Sequence, residues 1–153
     1  MIINPTADMD IIRAIISCEE ITSKYLPTDD ILDVNTIVPT KYKEFATFEV
    51  EKQPVGVLVM DNVCDGVLSI HPYLLDCAKP LFRDMWNALV TFLTWYRLDV
   101  SFLSVSIQTC HDRLIKLCTY YGFVPFYEEY DHGIKYGKKV NCIHMINSNW
   151  RVL

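Results

Sequence analysis

The sequence predicts an α/β fold: a mixed central sheet with helices on both faces, in the order α(α)βββαβαββ. Three observations predict it. Apolar residues recur at helical spacing near the N-terminus, again between Phe82 and Leu93, and again after Cys110. Short apolar runs punctuated by turn residues fill the interval from Phe45 to His71. One long helix then separates the third of these strands from the fourth, and a crossover of that kind makes the two strands parallel.

The first helix is expected from about Asp8 to Tyr25. Ile11, Ile12, Ile15, Ile16 and Ile21 mark its apolar stripe. Thr6 or Asp8 caps its start, and Pro27 stops it. Thr28-Asp29-Asp30 caps a second short helix or forms a turn. Phe45 to Val50 reads as a strand, Lys52-Gln53-Pro54 as a hairpin turn, and Val55 to Met60 as the second strand. Asp61-Asn62 and Asp65-Gly66 bracket a further turn before Val67 to His71, the third strand of an antiparallel meander.

The longest helix is expected from Asp76 or Pro80 to Tyr96, with Phe82, Met85, Trp86, Leu89, Val90 and Leu93 on its core face. Val100 to Ile107 is the next strand. A helix from Cys110 to Tyr121 follows, with Thr109 as cap and Asp112 three residues on. Gly122 supplies the left-handed residue that ends it. Phe123 to Glu129 and Val140 to Ile146 are the last strands, separated by a turn over Asp131 to Lys139.

Size and composition agree with this reading. The chain has 153 residues, of which 51% are hydrophobic and 22% charged. That suits one domain spanning residues 1–153, with enough apolar material for a core and too little charge for a disordered chain. No run of eighteen apolar residues predicts a membrane span, and the first residues lack the pattern of a signal peptide. Net charge is −5, so nucleic acid is not an expected partner. The densest basic stretch, Lys135, Lys138 and Lys139, lies beside glycines and reads as a solvated turn. Six cysteines at irregular spacing, with no C-x-x-C pair, predict free thiols in a reducing cytoplasm and no metal site.

Two stretches carry a resemblance beyond element order. Ser106 to Phe123 runs as a strand, a helix and a terminal Gly122-Phe123. Val67 to Tyr73 is a strand leading into the long helix. With the meander before them, they make the region from Phe45 to Ile146 similar to the GNAT family of N-acetyltransferases. Within it, the short N-terminal helix ending near Asp29-Asp30, the Ile70-His71 strand end and the Gly137-Lys138-Lys139-Val140 hairpin look most like a divergent group of tailed bacteriophages.

The resemblance implies specific site residues. The strand beside the pantetheine arm of acyl-CoA would be the one ending in Ile70-His71. The pyrophosphate loop of the family, [RQ]-x-x-G-x-[GA], falls on Leu75, Asp76, Cys77, Ala78, Lys79 and Pro80. Such a loop works because glycines let backbone N–H groups at a helix N-terminus approach the anion. Leu75 replaces the Arg or Gln, and Ala78 and Pro80 replace the small residues. Pro80 has no N–H, Asp76 can cap the helix with its own carboxylate, and Lys79 alone favours an anion. The family's Asn and acid Tyr fall on His111 and Cys118. The Cys118 thiol could serve as the acid, and Tyr120 or Tyr121 could serve by a shift of register. Glu49, Glu51 and His71 are the candidate bases by location, with His71 the best matched in intrinsic pKa.

Two functions follow. The eroded loop points to a GNAT-like protein that binds another protein, as a virion component or a factor acting on a host. Its anchor would be the aromatic group Tyr120, Tyr121, Phe123, Phe126, Tyr127 and Tyr130. The alternative is an active N-acyltransferase that takes acetyl-CoA or another acyl-CoA and an amine acceptor such as a lysine or an N-terminus. The sequence does not specify an oligomeric state.

Overall fold

The computed structural model describes residues 1–5, 8–25, 33–135 and 137–151. It shows a seven-stranded mixed sheet flanked by helices. In chain order the elements are β1 (Ile2–Asn4), α1 (Met9–Ser17), α2 (Glu19–Tyr25), β2 (Lys43–Val50), β3 (Gln53–Cys64), β4 (Val67–Leu74), α3 (Phe82–Tyr96), β5 (Phe102–Gln108), α4 (Asp112–Tyr120), β6 (Val124–Lys135) and β7 (Lys138–Asn147). The strands lie in the order β1-β2-β3-β4-β5-β7-β6. Contacts group the chain into two compact units. Of the described residues, one unit holds those up to Asp61 together with His71–Leu98, and the other holds Asn62–Ile70 and those from Asp99 onward.

In the first unit, Asp8 caps α1 by accepting from the Asp10 N–H at 2.8 Å. The alternative cap Thr6, the stop at Pro27 and the short helix expected from Thr28 to Asp30 lie outside the described residues. The single helix expected from Asp8 to Tyr25 is two helices, because Cys18 is extended (ψ 147°) and ends α1. Its carbonyl then accepts from Ile21 and Thr22 to start α2. The break has a packing reason. Ile21 lies five residues after Ile16, which on an unbroken helix would turn it about 140° away from the stripe. Broken, the chain buries Ile12, Ile15, Ile16 and Ile21 together against Phe45, Val57 and Val59. Ile11, expected on that stripe, is exposed.

The β2–β3 hairpin turns at Glu51-Lys52, both with positive φ (51° and 66°), and not at Lys52-Gln53-Pro54. Pro54 instead pairs with Glu49 beside a bulge between Phe48 and Glu49. A bulge is where a strand tolerates a residue with no N–H to give. Gly56 follows, and a Cβ there would lie 2.5 Å from the Tyr73 carbonyl oxygen, so the close approach of the backbones requires glycine. β3 runs through the expected Asp61-Asn62 turn to Cys64. β1 was not expected. It is tied to β2 by backbone pairing and by the Asn4 side-chain amide, which donates to Glu49 Oε1 at 2.8 Å.

In the second unit, Val67, Leu68 and Ser69 of β4 pair in parallel with Phe102, Leu103 and Ser104 of β5, as the crossover predicts. β5 pairs antiparallel with β7 from Leu103↔Asn147 to Gln108↔Cys142. Leu103, Val105 and Ile107 alternate into the core, so Ser104 and Ser106 share the other face. Gly122 has φ 84°, and the Gly122 and Phe123 N–H groups close α4 onto the Thr119 and Cys118 carbonyls. Thr109 does not cap α4. Its N–H and hydroxyl both reach the Asn141 carbonyl across the sheet, and His111 takes the N-cap position. The turn expected over Asp131 to Lys139 is mostly strand. β6 continues to Lys135 past a register shift between Glu129 and Gly133, where Asp131 has φ 53°. Lys139 lies in β7 and pairs with Asp131 at 3.0 Å.

Candidate functional site

The residues that the family resemblance assigns fall in two places. In the first unit, Leu75 packs against the isoleucine cluster, and its N–H donates to the Val55 carbonyl at 3.0 Å. Asp76–Leu81 is a short 3-10 helix with Leu75 at its cap position and no side-chain capping bond, so the expected Asp76 cap does not form. The Asp76 carboxylate pairs with Lys79 instead. The Asp76 backbone N–H donates to the Glu20 carboxylate. Cys77 is exposed, Ala78 is buried, and Pro80 sits inside the 3-10 turn without an N–H. This segment does not fit a pyrophosphate. A carboxylate already lies on a backbone donor, and the only cation of the segment is engaged by its own aspartate.

His71, in β4, has its Nε2 3.6 Å from Asp61 Oδ2, and Lys43 Nζ is 3.5 Å from the other oxygen. Burial pushes the His71 pKa below its usual value, Asp61 opposes that shift, and Lys43 adds to it. At neutral pH the ring is therefore neutral, and it is a weaker base than a free histidine. The alternatives Glu49 and Glu51 are a strand tie and a turn residue. Glu49 accepts from Asn4 and from the Thr47 hydroxyl, and Glu51 occupies the left-handed hairpin turn.

In the second unit, Ile70 is buried. His111 opens α4, its carbonyl accepting from Leu114 and Ile115. Burial pushes the Cys118 thiol up to about 12. A thiol that holds its proton so firmly is a poor donor to a leaving thiolate. Tyr120 is 75% exposed and stacks edge-on against Tyr121 at 5.2 Å.

The second unit also brings together side chains to which sequence reasoning gave no catalytic role. Ser106 and His144 are direct partners across the β5–β7 ladder, and Tyr127 is the partner of His144 on β6. The Ser106 hydroxyl lies 2.9 Å from His144 Nδ1. His144 Nε2 lies 3.3 Å from Glu129 Oε2. His132 Nδ1 approaches the same carboxylate oxygen at 3.0 Å. The Tyr127 ring lies tilted beside the His144 ring at 5.5 Å. The neighbouring imidazoles, His132 first and then His144, hold the Glu129 carboxyl below its usual pKa, so it is ionised at neutral pH. An ionised carboxylate only accepts, which requires the proton on His144 Nε2. In the neutral ring Nδ1 is then the acceptor for the Ser106 hydroxyl. The result is a line of groups, hydroxyl to imidazole to carboxylate, whose Ser106 end is exposed. The only sequence signal was the period-2 placement of Ser104 and Ser106 opposite a buried apolar face. Among the described residues, no group of three or more His, Cys, Asp or Glu side chains is placed to hold a metal. All six cysteines are free thiols.

Solved structures of the same architecture include N-acetyltransferases. The ribosomal-protein-alanine N-acetyltransferase from Brucella melitensis is 15% identical, with a TM-score of 0.73 over 97% of this chain and 99% of that one. The ribosomal-protein-S18-alanine N-acetyltransferase from Escherichia coli is 13% identical, with a TM-score of 0.74 over 95% of this chain and 91% of that one. A spermidine N-acetyltransferase chimera from Vibrio cholerae and hSSAT is 10% identical, with a TM-score of 0.75 over 97% and 96%. No family model matches the chain, and no curated protein matches its sequence. The fold is therefore the GNAT fold. Among the described residues no helix is long and apolar enough to cross a membrane.

Proposed function

We propose that the chain is an N-acyltransferase that moves an acyl group from an acyl-CoA thioester to an amine. The fold supports the class, and fold alone does not fix a reaction. The observation that carries the reading is the β4–β5 ladder. Its pairs run from Val67↔Phe102 to Ser69↔Ser104, while β5 continues to Gln108 on its β7 side. Beyond that end lie Ile70 and Ser106, and strand backbone there can hold the pantetheine arm in the way the family resemblance implies. Because the Leu75–Pro80 segment offers no anion cradle, binding rests on that strand backbone rather than on the phosphates.

The test is thermal unfolding with and without acetyl-CoA, with calorimetry. A ligand at about 100-fold its dissociation constant raises stability by about 2.7 kcal/mol. A shift of that size supports the reading, and no shift at millimolar acetyl-CoA refutes it.

A second reading is a protein-docking role, virion-associated or directed at a host. It is favoured by the large side chains left exposed around β6: Phe126 at 77%, Tyr130 at 73% and Tyr120 at 75%. Aromatics of this kind anchor interfaces.

A further inference from the structure

We propose that Ser106, His144 and Glu129 form a proton-accepting relay that serves a primary amine as it attacks an acyl thioester. The proposal rests on the acyltransferase reading above and supplies the base which that reading lacks. The amine attacks as its free base and must shed an N–H proton as the C–N bond forms, so a nearby base serves the chemistry.

The geometry meets that requirement in three respects. Ser106 lies two residues beyond Ser104 and on the same face of β5, just past the Ser69↔Ser104 pair that ends the β4–β5 ladder. Its hydroxyl is exposed, whereas His144 behind it is half-buried, with 31% of its side chain accessible. Glu129 then stands on the far nitrogen of the imidazole, with His132 Nδ1 3.0 Å from the same carboxylate oxygen. The charged and titratable groups around His144 are therefore Tyr127, Glu129 and His132 from β6 and Cys142 on its own strand.

As the amine nitrogen bonds to the thioester carbonyl carbon and the C–S bond breaks, Ser106 Oγ takes the N–H proton. It passes its own proton to His144 Nδ1. The C–S electron pair leaves with the thiolate. Glu129 keeps its charge throughout and stabilises the imidazolium that forms. His144 is the base, Ser106 carries the proton, and Glu129 is a positioning residue. The arrangement orders the three groups as a nucleophile–base–acid line does, with Ser106 on Nδ1 and the carboxylate on Nε2.

The experiment uses the full chain with acetyl-CoA as donor and benzylamine, a lysine-containing peptide or water as acceptor. Thiol release and acetyl-CoA affinity are measured separately. The expected result for His144→Gln is unchanged acetyl-CoA affinity, with turnover lower by about 10²–10⁴-fold. The rising acid limb of the wild-type pH–rate profile should also be lost. Glu129→Gln should move that limb to lower pH, because the imidazolium loses its counter-charge. A merely structural role would not produce that shift. If His144→Gln turns over at the wild-type rate, the relay is wrong and the acyltransferase reading survives. The relay is equally wrong if the wild type binds acetyl-CoA but releases no thiol with any acceptor. If the wild type does not bind acetyl-CoA at all, the acyltransferase reading fails first, and the relay fails with it.

Discussion

Replacing Asn147 with alanine should cost the fold about 3 kcal/mol. Asn147 ends β7 and is 3% exposed. Its side-chain amide donates to the Tyr121 carbonyl at 2.8 Å, at the C-cap of α4, and its Oδ1 accepts from the Asn149 N–H at 2.8 Å. Alanine leaves both backbone groups without these partners, at half-buried Tyr121 and at exposed Asn149. Each such loss costs about 1–3 kcal/mol, and partial refilling by water keeps the sum in the lower half of the combined range of about 2–6 kcal/mol. For a chain of this length, that predicts a fall in Tm of about 6–12 °C. Urea unfolding should show a lower midpoint with an unchanged slope. Asn147→Asp separates the donor from the acceptor. It keeps the oxygen for Asn149 but turns a carboxylate toward the Tyr121 carbonyl. At pH 7 it should be at least as unstable as the alanine variant, and it should recover as acid restores an O–H donor. A loss below about 0.5 kcal/mol, the range of ordinary surface changes, would refute the claim that this side chain ties α4 to β7. So would an aspartate variant indifferent to pH.

Two further predictions concern titration. The folded-state pKa of His71 is lowered by burial, so below the unfolded-state value of 6.5 the unfolded chain binds more protons than the native one. Stability should therefore fall as pH drops below about 6.5, and His71→Gln should flatten that part of the pH–stability curve measured by urea unfolding. Burial pushes the Cys118 and Cys142 thiols up to about 12 and about 11, whereas Cys64, Cys77 and Cys110 are exposed. Iodoacetamide at pH 8 followed by peptide mass spectrometry should label the exposed three first, and early modification of Cys118 would contradict the assignment.

The elements that the sequence made legible were those whose signals are local. The α3 stripe of Met85, Trp86, Leu89 and Leu93 is buried as its spacing requires, and Gly122 ends α4 with the positive φ that its position demanded. Failures arose where tertiary packing overrode local signals. The chain breaks at Cys18 to bury Ile21, although nothing at Cys18 reads as a helix stop. Two glycines and several lysines suggested a loop over Asp131 to Lys139, yet β6 and β7 pair through Gly133↔Val140 and Lys135↔Lys138, closing the gap with a shift of register. β1 is three residues long and gives no periodic signal at all.

The candidate site was illegible for a sharper reason. Ser106 and His144 are 38 residues apart, and His144 and Glu129 are 15 apart. Their meeting depends on two registers, β5 with β7 and β6 with β7. The second contains shifts at Pro125/Tyr127 and at Glu129/Gly133. A slip of one residue in either ladder would turn the relevant side chain to the opposite face. A single sequence carries no record of register, so the three residues remain scattered polar positions until the strands are paired. The segment from Leu75 to Pro80 shows the opposite case, where a contiguous motif invites an assignment that the structure weakens. Two like charges about 4 Å apart near a protein surface repel by about 4 kcal/mol, close to a thousandfold in affinity. With Glu20 on the Asp76 N–H, an anion bound there would have to displace that carboxylate. Chemistry in this chain is therefore better sought where strands place a hydroxyl, an imidazole and a carboxylate in line than where a helix start resembles a phosphate loop.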